Sequence, residues 1–66
     1  MKWDDAEEVA ILLEETYPDQ DIFALRFTEL RDLVRLLPGF TDDEGSCNEG
    51  VLEAIQMAWH EERESR

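Results

Sequence analysis

Cysteine and histidine are nearly absent from this sequence. Its 66 residues hold one cysteine, Cys47, and one histidine, His60. A single cysteine excludes an internal disulfide and is typical of a reducing compartment. A structural zinc site takes four Cys or His ligands, so the chain cannot supply one. We therefore expect a fold that rests on its hydrophobic core alone, in a chain so short that this core is small.

Long apolar runs are absent as well. No stretch approaches the roughly 18 apolar residues that a membrane-spanning helix needs. The N-terminus (MKWDDAEE) is too acidic for a signal or transit peptide. These absences predict a soluble, cytoplasmic protein with no membrane contact.

Basic residues are scarce, since six Lys and Arg stand against eighteen Asp and Glu and give a net charge of −12. So negative a surface repels nucleic acid phosphates and anionic lipids, and it attracts cations and basic protein patches. Two arginines at helical spacing, Arg31 and Arg35, cannot offset that field. We therefore expect a basic protein surface as the partner, no nucleic acid, and a monomer, because like charges repel.

The residue patterns of known catalytic sites are missing too. The three glycines stand singly, so there is no glycine-rich phosphate-binding loop. Cys47 and His60 are separated by roughly 18 Å of predicted helix, which is too far for a nucleophile and its base. We therefore predict no enzymatic activity, no catalytic residue and no tightly bound cofactor.

The chain does have a phased set of apolar residues, 42% of the total. Their helical spacing predicts three helices at about residues 5–16, 29–37 and 49–62, in one compact, mainly α domain over 1–66. The predicted helix caps are Asp4 with Glu7, Thr28, and Asn48. The run 22–27 is either a helical turn or a short strand, and the tail from Glu61 is expected to fray.

The helical spacing also predicts which side chains are buried. Glu7, Glu8, Glu14 and Glu15 fall on the exposed face of the first helix. The predicted buried positions are Ala6, Val9, Leu12, Leu13 and Tyr17; Leu30, Leu33, Val34 and Leu37; and Val51, Leu52, Ile55, Ala58 and Trp59.

Acidic residues form three clusters whose carboxylates, with water, could hold a divalent cation. None has the spacing of an EF-hand, so we expect any metal binding to be weak. Acidic residues at helix starts also stabilise the helix dipole. A charge of −12 nevertheless exceeds the roughly 2–8 that keeps a small domain soluble, which favours a contact surface. The clusters are Asp4, Asp5, Glu7 and Glu8; Asp19 and Asp21; and Asp42, Asp43, Glu44 and Glu49.

Several short motifs, taken together and in order, resemble the IscX family of small acidic proteins in bacterial iron–sulfur cluster assembly. The resemblance covers nearly the whole chain without a gap. The motifs are Lys2-Trp3 with Asp5, Tyr17-Pro18-Asp19 with Asp21, Arg26-Phe27-Thr28, Phe40 with Asp42 and Asp43, Asn48-Glu49, Leu52-Glu53-Ala54-Ile55, and Trp59.

The resemblance implies a winged-helix-like three-helix fold and a regulatory, non-enzymatic role. Members of the family bind the cysteine desulfurase that supplies sulfur, near the surface that frataxin-type proteins use, so competition with such a protein is implied. They also bind Fe²⁺ weakly through surface carboxylates. The matching aromatic core positions are Trp3, Tyr17, Phe27, Phe40 and Trp59.

Together, the acidic clusters and the resemblance give two sets of expected site residues. Weak Fe²⁺ binding is expected at Asp5, Asp19, Asp21, Asp42, Asp43 and Glu49. Desulfurase binding is expected at Asp4, Asp5, Glu7, Glu8, Glu49 and Glu53.

The chain departs from the family at three positions, and two alternative functions stay open. Ile22 stands where a Pro can start the short helical turn. Cys47 stands where relatives commonly carry Ser, and His60 where they carry an apolar residue, so neither is expected to take up sulfur or iron. One alternative function is a dedicated iron donor. The other is an acidic mimic of nucleic acid that occupies a DNA-binding protein.

Overall fold

The computed structural model describes residues 1–42 and 44–66, the side chain of Glu44 excepted. Three α-helices make up most of it: α1 (Ala6–Thr16), α2 (Phe27–Arg35) and α3 (Glu49–Glu64). Single turns of 3-10 helix, Ile22–Ala24 and Glu44–Ser46, stand in the two connections. The mainly α, three-helix domain is therefore confirmed. No described residue lies in a strand, and the winged-helix detail is not confirmed.

The hydrophobic core lies mainly between α1 and α3, with α2 packed against both. Each large apolar side chain that it buries stabilises the fold by roughly 1.5–3 kcal/mol. Most predicted positions are buried, but Ala6, Leu12, Tyr17, Leu33, Val51 and Ala58 are only partly so. The fully buried apolar residues are Trp3, Val9, Ala10, Leu13, Ile22, Leu30, Val34, Leu37, Leu52, Ile55 and Trp59.

The N-terminal segment is tied to the chain that follows α2. The Met1 ammonium donates a hydrogen bond to the Gly39 carbonyl at 2.8 Å, and the Met1 carbonyl accepts one from Thr41 N–H at 3.1 Å. Trp3 is buried beside Phe40, with ring centroids 4.6 Å apart in an edge-on arrangement. Gly39 has φ +83°, a conformation that glycine adopts without a steric penalty. This turn brings residues 39–42 alongside the start of α1.

The helix starts differ from the sequence prediction at two of three places. The N-cap of α1 is Asp5, not Asp4, and its side chain accepts a hydrogen bond from Lys2 N–H instead of capping the helix. Helix α2 begins at Phe27, so Thr28 lies inside it, and Glu29 accepts a hydrogen bond from the backbone N–H of Arg26 at 3.1 Å. The prediction for α3 is confirmed, because Asn48 Oδ1 accepts from Val51 N–H at 3.0 Å.

The C-terminal end of α3 also differs from the expectation. The helix continues through Glu64, where a frayed tail from Glu61 was expected. The cause is Arg63, whose guanidinium donates hydrogen bonds to the side chain of Glu14 and to the carbonyls of Tyr17 and Gln20. Among the described helices, none has the length and apolar character to cross a bilayer.

Candidate functional site

A partly buried ion pair joins the two main helices, α1 and α3. Glu14 is 7% exposed and accepts hydrogen bonds from Trp59 Nε1 at 3.0 Å and Arg63 Nε at 2.8 Å. The predicted exposure of Glu14 is therefore wrong. The same guanidinium lies 5.6 Å from the Trp59 ring centroid and bonds the carbonyls that follow α1. With these partners, this carboxylate supports the fold and is not available to a ligand.

The first acidic cluster forms an open groove at the start of α1. Its lining consists of Asp4, Asp5, Glu7 and Glu8 with Ala6 and Ile11, around a volume of about 550 Å³. All four carboxylates are exposed. Acidic side chains at a helix N-terminus interact favourably with the helix dipole, which offsets part of their mutual repulsion. The structure thus brings together four of the six residues expected to bind a partner.

The remaining expected partner residues, Glu49 and Glu53, lie on α3. Both are exposed, Glu49 in the first turn and Glu53 one turn later. Glu49 lines a groove of about 190 Å³ with Arg31 and Cys47, on the side where α2 meets α3. Cys47 is half-buried there and not fully exposed. Glu49 thus lines a groove of its own, apart from the one at the start of α1.

The residues expected to bind Fe²⁺ are spread over several places. Asp19 and Asp21 are exposed on either side of Gln20 in the turn after α1. Asp42 accepts a hydrogen bond from Trp3 N–H at 3.3 Å and lines a groove of about 330 Å³ with Lys2 and Asp4. Asp43 lies outside the described residues. Within residues 1–42 and 44–66, no three His, Cys, Asp or Glu side chains are placed to hold one metal ion.

Exposed apolar residues were not anticipated from the sequence. Phe23 is 55%, Met57 51%, Leu36 76% and Ile11 39% exposed. Ile11 faces a second groove of about 190 Å³ between α1 and α3, which Glu7, Ala58, Glu61, Glu62 and Ser65 also line. For Ile11, Leu36 and Met57, the signal that could have revealed them is a position outside the predicted buried stripes. Phe23 lies in the run 22–27, for which no buried stripe is predicted.

His60 belongs to this exposed apolar surface. Its ring centroid lies 5.3 Å from that of Phe23, and its Nε2 lies 3.7 Å from a carboxylate oxygen of Glu64. These contacts give His60 a packing role at the edge of α3.

Among the described residues, fold and surface define a small, acidic, helical protein whose carboxylates, Glu14 excepted, lie mostly at the surface. The chain belongs to the family described as iron-sulphur cluster assembly, which matches residues 1–64. The resemblance to IscX is thereby confirmed. The chain is also similar to an uncharacterised protein of Pseudomonas aeruginosa, 48% identical over 64 residues that cover 97% of each chain.

Family membership gives this chain a role in iron–sulfur cluster assembly. The family consists of accessory assembly proteins and is not a known class of enzyme.

Proposed function

We propose that this protein is a cytoplasmic, non-enzymatic regulator of iron–sulfur cluster assembly that binds the cysteine desulfurase through its acidic surface. The observation that carries the proposal is the groove at the start of α1, with four exposed carboxylates on a chain of net charge −12. A basic patch on the partner is attracted over long range by such a surface, which speeds association and makes it dependent on salt.

In this proposal the carboxylates of the α1 groove bind a partner protein and take no part in a reaction. Asp4, Glu7 and Glu8 are exposed side chains just before and within the first turn of α1, which suits them to meet Lys and Arg of another protein. A frataxin-type protein that uses the same basic patch on the desulfurase would compete with this chain. Membership of the assembly family favours this reading over a mimic of nucleic acid.

Weak Fe²⁺ binding is a second part of the proposal, and no step of the docking depends on it. The expected donors are carboxylate oxygens, which suit a hydrated divalent cation. In the described part of the chain these donors stand singly or in pairs, which does not fit a tightly held ion. Fe²⁺ would bind at the pair Asp19 and Asp21 or at the carboxylates of the α1 groove, with water completing its coordination shell.

The test compares two double variants that each remove two negative charges. Glu7→Gln with Glu8→Gln removes two of the four negative charges of the α1 groove, whereas Glu15→Gln with Asp32→Asn neutralises two exposed carboxylates elsewhere. Titration calorimetry with purified desulfurase should show an affinity about tenfold lower for the first pair, as two charge contacts are lost. The second pair should change it little.

Equal affinities for the two pairs, or no desulfurase binding by the unmodified protein, would refute the acidic-surface proposal. The same titration repeated under anaerobic conditions with Fe²⁺ addresses iron. Fe²⁺ bound to the docking carboxylates should weaken desulfurase binding. An unchanged affinity would show that Fe²⁺ does not bind at the docking surface.

A further inference from the structure

Three of the four large apolar side chains exposed in the described part of the chain lie on or beside the outer side of α3. Met57 points outward from α3 itself, Phe23 comes from the 3-10 turn before α2, and Ile11 comes from α1. The fourth, Leu36, follows the end of α2. Single exposed apolar residues are ordinary on protein surfaces, whereas a contiguous group marks an interaction site.

One ring contact, the helical spacing and one groove place these residues around the outer side of α3. The Phe23 ring packs 5.3 Å from His60, and His60 lies one turn after Met57 on the same side of the helix. On the flank toward α1, Ala58 shares the groove between α1 and α3 with Ile11. We call this surface the α3 band: Phe23, His60, Met57, Ala58 and Ile11.

Carboxylates surround the α3 band. Glu53 and Glu61 lie one helical turn before and after Met57, and Glu64 contacts His60 at 3.7 Å. The one basic residue within α3 is Arg63, and its guanidinium turns inward to Glu14 and the carbonyls after α1. The band therefore combines apolar anchors with negative charge that no cation of its own helix neutralises.

We propose that the α3 band docks a basic amphipathic segment of a protein partner. Apolar side chains of that segment would cover Phe23 and Met57, while its Lys or Arg side chains would meet Glu53 and Glu61. Charge complementarity selects this occupant, because a second copy would bring another −12 against the same carboxylates. The inference rests on the proposed function in one respect, because the protein expected to carry this segment is the desulfurase.

The test uses Phe23→Ser with Met57→Ser, compared with Leu36→Ser as the control. All three side chains are more than half exposed, and Leu36 lies outside the band, at the end of α2. Thermal unfolding first checks that each variant folds, and Met57→Ser alone replaces the double variant if that one does not. None of these changes alters a charge, so the long-range attraction of the acidic surface is preserved.

Two probes separate this inference from the proposed function. One is purified desulfurase, and the other is a short synthetic Lys–Leu amphipathic peptide, which presents the proposed chemistry without the desulfurase. The band variant should bind both probes about tenfold more weakly than the unmodified protein, the loss typical of apolar anchors at an interface. Leu36→Ser should bind as the unmodified protein does.

The result that would overturn the inference is equal affinity of the band variant and the Leu36 variant for the peptide. Failure of the unmodified protein to bind desulfurase would refute the proposed function, and the peptide comparison would still decide on the band. Sedimentation of the protein alone gives a further check. A dimer that the band variant abolishes would assign this surface to self-association and contradict the proposal.

Discussion

At the scale of single residues, Glu14 and Arg63 do more for the fold than the sequence suggests. Glu14 accepts hydrogen bonds from both Trp59 and Arg63, and Arg63 also bonds two backbone carbonyls beyond the end of α1. Removing one partner of a buried pair leaves the other charge without compensation in a poorly solvated place. One arginine thus joins the C-terminal ends of α1 and α3.

Replacing Arg63 with Ala should therefore destabilise the protein markedly. We expect a loss of about 2–3 kcal/mol in the free energy of unfolding, which is typical for hydrogen bonds to a charged group that becomes unsatisfied. Urea unfolding followed by Trp fluorescence measures it. The control is Arg66→Ala, whose exposed ion pairs with Glu62 and Glu15 should matter little. Equal losses for both variants would contradict the assigned role.

The sequence could not reveal this pair, for a physical reason. Residues 61–66 (EERESR) contain no apolar side chain and resemble a solvated tail. Arg63 is held through hydrogen bonds to carbonyls of a turn 43 and 46 residues away in sequence, Gln20 and Tyr17. Helical periodicity reports burial of apolar groups and carries no information about such long-range polar contacts.

At the scale of elements, helix positions were predictable from the sequence and helix starts were less so. The breakers Pro18, Pro38 and Gly39 and the apolar spacing located all three helices. Several polar residues precede α1 and α2, and local hydrogen bonds around each helix start decide among them. One such hydrogen bond runs from Lys2 N–H to Asp5. Before α3, Asn48 is a single strong N-cap candidate, and the predicted cap is confirmed.

The confirmed cap should be measurable. Asn48→Ala removes the side-chain acceptor for Val51 N–H and should cost about 1 kcal/mol of unfolding free energy. Asp4→Ala is the matched control, because Asp4 precedes α1 without serving as its N-cap. Urea denaturation of the two variants compares them. A loss at Asp4 as large as that at Asn48 would show that the caps are assigned wrongly.

At the scale of the whole molecule, charge is unevenly placed. Three of the six basic residues, Arg26, Arg31 and Arg35, lie on α2 or at its N-cap. Arg31 and Arg35 both lie within 4 Å of Asp32 carboxylate oxygens. The start of α1 carries four exposed carboxylates, and Glu53 and Glu61 are exposed on α3. The docking surface that we propose therefore uses carboxylates of α1 and α3 and not the arginines of α2.

The candidate site was predictable in its charged part and not in its apolar part. Asp4, Asp5, Glu7 and Glu8 are consecutive enough in sequence that any helix start brings them together, as the structure does. Phe23, Met57 and Ile11 come from three separate elements. Only the packing of α1 and the 3-10 turn against α3 arranges them around that helix, and an exposed apolar residue gives no periodic signal of its own.

Clustered carboxylates are proposed to drive association with the desulfurase, and the salt dependence of the association rate tests this most directly. The Debye length is about 10 Å at 0.1 M ionic strength, so added salt screens attraction between exposed charges. The association rate constant, measured by stopped flow from low to high ionic strength, should fall steeply. Dissociation should change less, because apolar contacts in the α3 band hold the complex. An association rate that is the same at both ends of the salt range would contradict the account.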